Sequence, residues 1–332
     1  MEITRKEGYL EVDYLRAIAV ILLVIWHCFF CPMFVWGVVE PQADMNLLKL
    51  VAKFMIVDAT MPLFTFISGY LFTALYVEKQ KYRSFLPFLK NKVNRLIVPF
   101  LVFSVLIIST SYNMDFKSMV WGEGCHMWYC AMLFWCFMIA WALLRLNNKI
   151  VSWFIIGISI VLVFANPNFW YLPFQFPFGL DNGLYYYSYF ALGGGIFLYK
   201  DKFKDFNAGI IWVLYAILFL VNIISLPVIS RICSSLQTYV FSFALWITYM
   251  QLVGAGRLKS NDKIKNLCKY SFGIYVFHHW IAWDIVWFPP ISNVLREHYV
   301  LFPLVLTIIV FSLSYLLTAL SFKTRLGKYL LS

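Results

Sequence analysis

Arg16 and His27 stand eleven residues apart on the first apolar stretch of the chain. On an α-helix eleven steps of about 100° return the second residue to within about 20° of the first, about 16 Å further along the axis. The spacing predicts an arginine at a membrane edge and an imidazole near mid-bilayer on one helix face. A titratable side chain is costly inside lipid unless it faces protein, water or a ligand. A neutral imidazole held there can accept a proton from a hydroxyl or form a covalent intermediate. The plainer alternative is a core histidine satisfied by a carbonyl. Asp13, three residues before Arg16, is placed to pair with it locally.

Other residues of chemical interest are scattered. Ser68 and Gly69 lie inside an apolar run, where small residues let helices approach closely. Lys90, Lys92 and Arg95 crowd the start of another run and offer charge-assisted contacts to an anion. His126 and Trp128 open a fourth run, and the adjacent His278 and His279 lie in a late one. Adjacent helical residues point about 100° apart. At most one of His278 and His279 is therefore expected to face a shared cavity, and the sequence does not say which. Cys28 and Cys31 have C-x-x-C spacing at a helix end and read as packing or lipid-facing thiols. No His, Cys, Asp and Glu grouping has metal-ligand spacing, so no metal is expected.

The elements that carry these residues follow from composition. The chain has 332 residues, 62% apolar and only 13% charged. A soluble domain carries roughly twice that charge. The apolar residues fall into ten runs, near 12–31, 57–76, 96–112, 127–144, 150–165, 183–199, 209–226, 232–254, 268–286 and 300–320. The expected fold is an all-α polytopic integral membrane protein, one bundle of about ten transmembrane helices forming a single domain over 1–332. Lysines and arginines gather on alternate loops: Arg5 and Lys6; 79–95; Arg145 and Lys149; 200–204; 257–265; 323–328. The opposite loops hold Lys49, Lys53, Lys117, Arg231 and Arg296. By the positive-inside rule both termini are cytoplasmic, in a multi-pass protein of the inner or plasma membrane. The net charge of +11 is mostly this topology signal together with attraction to anionic headgroups of the lipid bilayer. No basic stretch is long or concentrated enough for nucleic acid to be an expected partner. The first run ends in Trp26–Phe30 without a small-x-small cleavage site and reads as a retained span. Two opposite-side stretches, 32–56 with Pro41, Gln42 and Asp44, and 166–182 with Pro167, Trp170, Pro173 and Pro177, are expected to cover an outer cavity.

Five segments, in order, resemble one family. "VDYLRAIAVILLVIWH" looks like the Asp-x-x-Arg segment with a following histidine of acyltransferase family 3, the multi-span glycan O-acetyltransferase-like enzymes. "PLFTFISGY" is similar to its Ser-Gly-aromatic motif, "HMWY" to its His-x-Trp-aromatic motif, and "SFGIYVFHH" to its late His-His motif. Where many members carry Arg-x-x-Arg, this chain has Lys92-Val-Asn-Arg95, which lacks one bidentate fork.

The resemblance implies an acyl-CoA donor, acetyl-CoA by default with succinyl open, and an acceptor hydroxyl on an extracytoplasmic glycan, lipid-linked sugar or other envelope molecule. It implies His27 as general base, with an acyl-histidine intermediate open, and at the same catalytic site Arg16 orienting the donor or pairing with Asp13. Lys90, Lys92 and Arg95 would hold the CoA phosphates. His126, Trp128, Ser68, His278 and His279 would shape the substrate site. The rival reading is a transporter or glycan flippase, which predicts matched internal repeats and broken helices. Gly193-Gly194-Gly195 is a break without a counterpart in the other half.

Overall fold

A computed structural model describes residues 9–40, 60–110, 116–122, 125–165, 176–224 and 226–331. Arg5, Lys6, Lys49, Lys53, Pro41, Gln42, Asp44, Pro167, Trp170 and Pro173 lie outside the described residues. Each apolar run becomes a helix. In chain order these are α1 Leu10–Phe34, α2 Thr60–Val77, α3 Phe85–Thr110, α4 Trp128–Leu146, α5 Lys149–Ala165, α6 Leu180–Leu198, α7 Ala208–Ile224, α8 Pro227–Gly254, α9 Asp262–Trp287 and α10 Leu301–Ser321. Among the described residues six of these, α1, α2, α3, α4, α8 and α10, are long and apolar enough to cross a membrane. The basic loops follow the even-numbered helices, so all of them gather at one end of an up-and-down bundle.

Local sequence sets the helix ends. Asn261 caps α9, its side chain accepting from the Ile264 amide at 2.9 Å, which satisfies one of the first-turn donors. Asn147 ends α4 in the left-handed conformation, a usual stop signal. Two of the helices carry a π-helical stretch, Trp26–Phe30 in α1 and Val93–Ile97 in α3. Such i→i+5 segments recur at functional sites, and here they contain His27 and Arg95.

The centre of the bundle is held by backbone contact. A Cβ on Gly69 would lie 1.9 Å from the Phe190 carbonyl oxygen, and a Cβ on Gly193 would lie 1.9 Å from the Phe66 carbonyl oxygen. The two glycines therefore let α2 and α6 touch reciprocally, as small residues do in membrane bundles. Ser68 beside Gly69 donates to the Phe64 carbonyl of its own helix at 2.9 Å. Gly273 of α9 leaves room for the Thr318 side chain of α10. Helix α1 packs against α2, α8, α9 and α10, so its polar residues face protein on several sides. Cys28 and Cys31 are buried free thiols.

At the basic end the Tyr9 hydroxyl donates to Glu78, and the Lys200 ammonium donates to the same carboxylate at 3.0 Å. Tyr70 donates to Glu11 at 3.0 Å. These bonds tie the start of α1 to α2 and to the end of α6.

Candidate active site

Four histidines from three parts of the chain meet in the bundle. His27 comes from the π stretch of α1. His126 comes from a short turn, Cys125–Met127, just before α4. His278 and His279 come from the middle of α9. The His27 ring lies 4.7 Å from those of both His278 and His279, and the His126 ring stacks on His279 at 4.5 Å. Both α9 imidazoles, rather than one, lie against His27. Their rings are 6.2 Å apart and nearly perpendicular, so the approximately 100° between adjacent helical residues makes them straddle His27 instead of sending one away.

The partners of each nitrogen fix the tautomers. His278 Nδ1 sits 3.0 Å from the Ile274 carbonyl. A carbonyl only accepts, so Nδ1 carries the proton, and a neutral ring then has its lone pair on Nε2. That Nε2 lies 3.1 Å from His27 Nδ1, which also lies 2.9 Å from the Leu23 carbonyl. Two acceptors face His27 Nδ1, so it too is protonated. Any other assignment of neutral rings sets lone pair against lone pair. The unshared pair of His27 therefore resides on Nε2, the nitrogen turned away from both partners. His27 also remains partly accessible, while Leu23, Val24 and Cys28 around it are buried. It borders a space.

His126 follows the same logic with the opposite tautomer. Its Nε2 donates to the Val276 carbonyl at 3.0 Å, and its own backbone carbonyl accepts from the Tyr275 hydroxyl. The lone pair is then on Nδ1, which is buried with no hydrogen-bond partner. The Tyr129 hydroxyl is likewise buried, beside the Thr65 and Ser68 hydroxyls. Buried polar groups are normally satisfied, so the open His126 Nδ1 is a candidate contact for a polar ligand. Among the described residues no group of three or more His, Cys, Asp or Glu side chains could hold a metal. His278 Nδ1 and His126 Nε2 are already committed to carbonyls.

The remaining candidates disperse. Arg16 is half-buried, eleven residues down the same helix toward the basic end. The Asp13 carbonyl accepts from the Cys268 thiol at 3.1 Å, which fastens this turn of α1 to α9. Trp128 turns toward Tyr186 of α6, ring to ring at 5.7 Å. Ser68 is satisfied within its helix. Lys92 is buried in an aromatic cage, its ammonium 3.3 Å from the Phe137 ring centre, 5.1 Å from Tyr82 and 5.9 Å from both Phe72 and Phe88. Lys90 and Arg95 are exposed. The intervening π stretch explains why Lys92 and Arg95 differ so much: i→i+5 bonding widens the turn, so residues three apart no longer share a face. Lys81 and Arg83, standing 5.5 Å over Tyr82 and 5.1 Å over Tyr76, extend the same basic and aromatic surface. The sequence reading passed over Tyr275, although it lies within "SFGIYVFHH".

A family model described as an acyltransferase domain matches residues 9–319. The chain belongs to acyltransferase family 3. That match spans α1 to most of α10, so every histidine of the cluster falls inside the family's domain. No curated protein and no solved structure matches the chain. As a member of acyltransferase family 3 it acts with an acyl donor and an acceptor, and its apolar helices suit an integral membrane protein.

Proposed function

We propose that this chain is a ten-span membrane O-acyltransferase with both termini in the cytoplasm. It takes an acyl group, acetyl by default, from cytoplasmic acyl-CoA and places it on a hydroxyl of an extracytoplasmic glycan or other envelope acceptor. The observation that carries the reading is the lone pair on His27 Nε2. It is fixed there by the Leu23 carbonyl and His278, in a ring cluster that His279 and His126 complete.

In this mechanism the acceptor hydroxyl gives its proton to His27 Nε2 as its oxygen attacks the thioester carbonyl carbon. The tetrahedral intermediate collapses with cleavage of the carbon–sulfur bond. The CoA thiolate leaves and takes up the proton, so ester and free thiol are the products. His278 holds His27 in the required tautomer. His126 Nδ1 receives a polar group of the substrates. Lys90 and Arg95, with the flanking Lys81 and Arg83, meet the CoA phosphates at the basic end. Lys92, its charge set among ring faces, braces that surface from inside, and Arg16 steers the donor arm upward. Counted by helix rise, His27 lies about 26 Å from Leu10 and about 10 Å from Phe34, past the middle of α1. The donor arm must therefore reach past the midpoint, and the acceptor has the shorter path.

Mass spectrometry of envelope glycans from cells with and without the protein tests this function. The reading expects the mass of an acyl group to be lost from the glycans, and identical glycans in both cells would reject it.

A further inference from the structure

An aromatic file leaves the histidine cluster toward the end of the bundle opposite the basic loops. Trp36 follows α1. The chain doubles back there, with Gly37 at φ +66 and the amides of Val38 and Val39 donating to the Pro32 carbonyl at 2.9 and 3.1 Å. Arg296 Nε donates to the Val38 carbonyl at 2.9 Å and pins the turn. The Trp36 ring is thereby brought to 5.3 Å from His279 and 5.2 Å from Trp283, both edge to face. Trp283 meets Trp287 at 5.5 Å. His279, Trp283 and Trp287 are spaced i, i+4, i+8 on α9, one face rising about 12 Å.

Exposure increases along this file. His279 is 8% exposed, Trp283 is half-buried, and Trp287 is 45% exposed. An interfacial tryptophan belt accounts for Trp287. It does not account for two further indoles that continue inward to the imidazoles. Asp284 adds a second observation. It is exposed and about 60° around the helix from Trp287. An ionised carboxylate is kept out of lipid, so this flank of α9 faces water.

Indole faces beside a carboxylate suit a pyranose. The sugar's apolar C–H face packs on the ring, and its hydroxyls donate to the carboxylate in charge-assisted bonds. We infer that Trp36, Trp283, Trp287 and Asp284 form an acceptor track, which binds neutral pyranose units next to the reacting sugar and presents one hydroxyl to His27. The inference rests on reading His27 as the acyl-transfer base. Its length has room for more than one ring, so an oligosaccharide is the favoured ligand over a monosaccharide.

The test is calorimetric binding to the full chain in detergent without any acyl donor, using chitotetraose, cellotetraose and maltotetraose as probes, with choline as a fourth. At least one tetrasaccharide should bind saturably. Trp283→Ala and Trp287→Ala should each raise its Kd about 3–10-fold, the scale of a lost aromatic contact. Asp284→Asn should raise it less. Trp153→Ala, a 70% exposed indole on α5, should change nothing. Trp287 is exposed, so its variant keeps the comparison informative if Trp283→Ala fails to fold. Failure of all three sugars to bind, indifference to the substitutions, or binding of choline in their place would overturn the track. Sugar binding that depends on these residues in a protein without acyl transfer would keep the track and reject the acyl-transfer reading.

Discussion

His278 Nε2 lies 3.1 Å from His27 Nδ1, and each ring is anchored by the carbonyl four residues before it, Ile274 for His278 and Leu23 for His27. Each carbonyl requires the proton on Nδ1. The pair can therefore satisfy itself only if His27 leaves Nε2 open. His278→Asn should loosen this selection without removing the base. The expected outcome is a fall in kcat smaller than the about 10²–10⁴-fold associated with losing a general base, with the KM for acetyl-CoA unchanged. A steady-state comparison of the two parameters checks it, and a change confined to donor KM would count against a positioning role.

The donor surface carries its own prediction. Lys90 and Arg95 are exposed whereas Lys92 is caged. Charge reversal of Lys90 and Arg95 together should raise the KM for acetyl-CoA in protein that still folds. Lys92→Glu should destabilise instead, because a buried carboxylate would replace the ammonium over the Phe137 ring. Donor kinetics indifferent to the first pair would leave these cations only a topological role.

Packing between α2 and α6 leaves no room for a methyl group. Gly69→Ala or Gly193→Ala should lower stability by about 1–3 kcal/mol or more, the usual cost of overpacking, because the obstacle is backbone in both cases. Thermal melts in detergent read this directly. Gly157→Ala, whose added methyl meets nothing within 4 Å, is the matched control.

Acid sensitivity is expected at the basic end. The Tyr9 hydroxyl, and after it Lys200, holds the Glu78 carboxyl below its usual range against a smaller opposing effect of burial. A lowered folded-state value means the contribution is present above the unfolded carboxylate's value and is lost as pH falls through the folded one. This partly exposed pair is worth at most about 1 kcal/mol. Glu78→Gln should flatten the acid side of a Tm-against-pH curve. An unchanged acid limb would mean the bond does not form in solution.

Much of the fold could be read from the chain because apolar runs and loop charges are local signals. All ten runs became helices, with ends shifted where the signal was weakest. α9 begins at Asp262 rather than near 268, because Asn261 caps a polar first turn that hydropathy cannot see. The site was legible one residue at a time. His27 stood out by its cost in lipid, and Gly69 by its size. The convergence of His126 with His278 depends on contacts about 150 positions apart, and nothing in "HMWY" encodes that distance. The π stretches were equally hidden, since their wider turns arise from backbone bonding. That is why the sequence does not show that Lys92 is buried while Arg95, three residues on, is exposed. The meeting of Trp36 with Trp283 and His279 likewise joins distant positions, which no local pattern encodes.

The central claim is that His27 performs the chemistry, and acyl transfer by His27→Ala tests it most directly. Turnover of acetyl-CoA with an acceptor should be measured beside thermal stability and donor binding on the same detergent sample. The account predicts a loss of about 10²–10⁴-fold in rate with the melting temperature and acetyl-CoA affinity retained. Cys28→Ala, at a buried neighbour packed in an apolar core cluster, should remain near wild type in turnover. A folded His27→Ala protein with near-normal turnover would contradict the account.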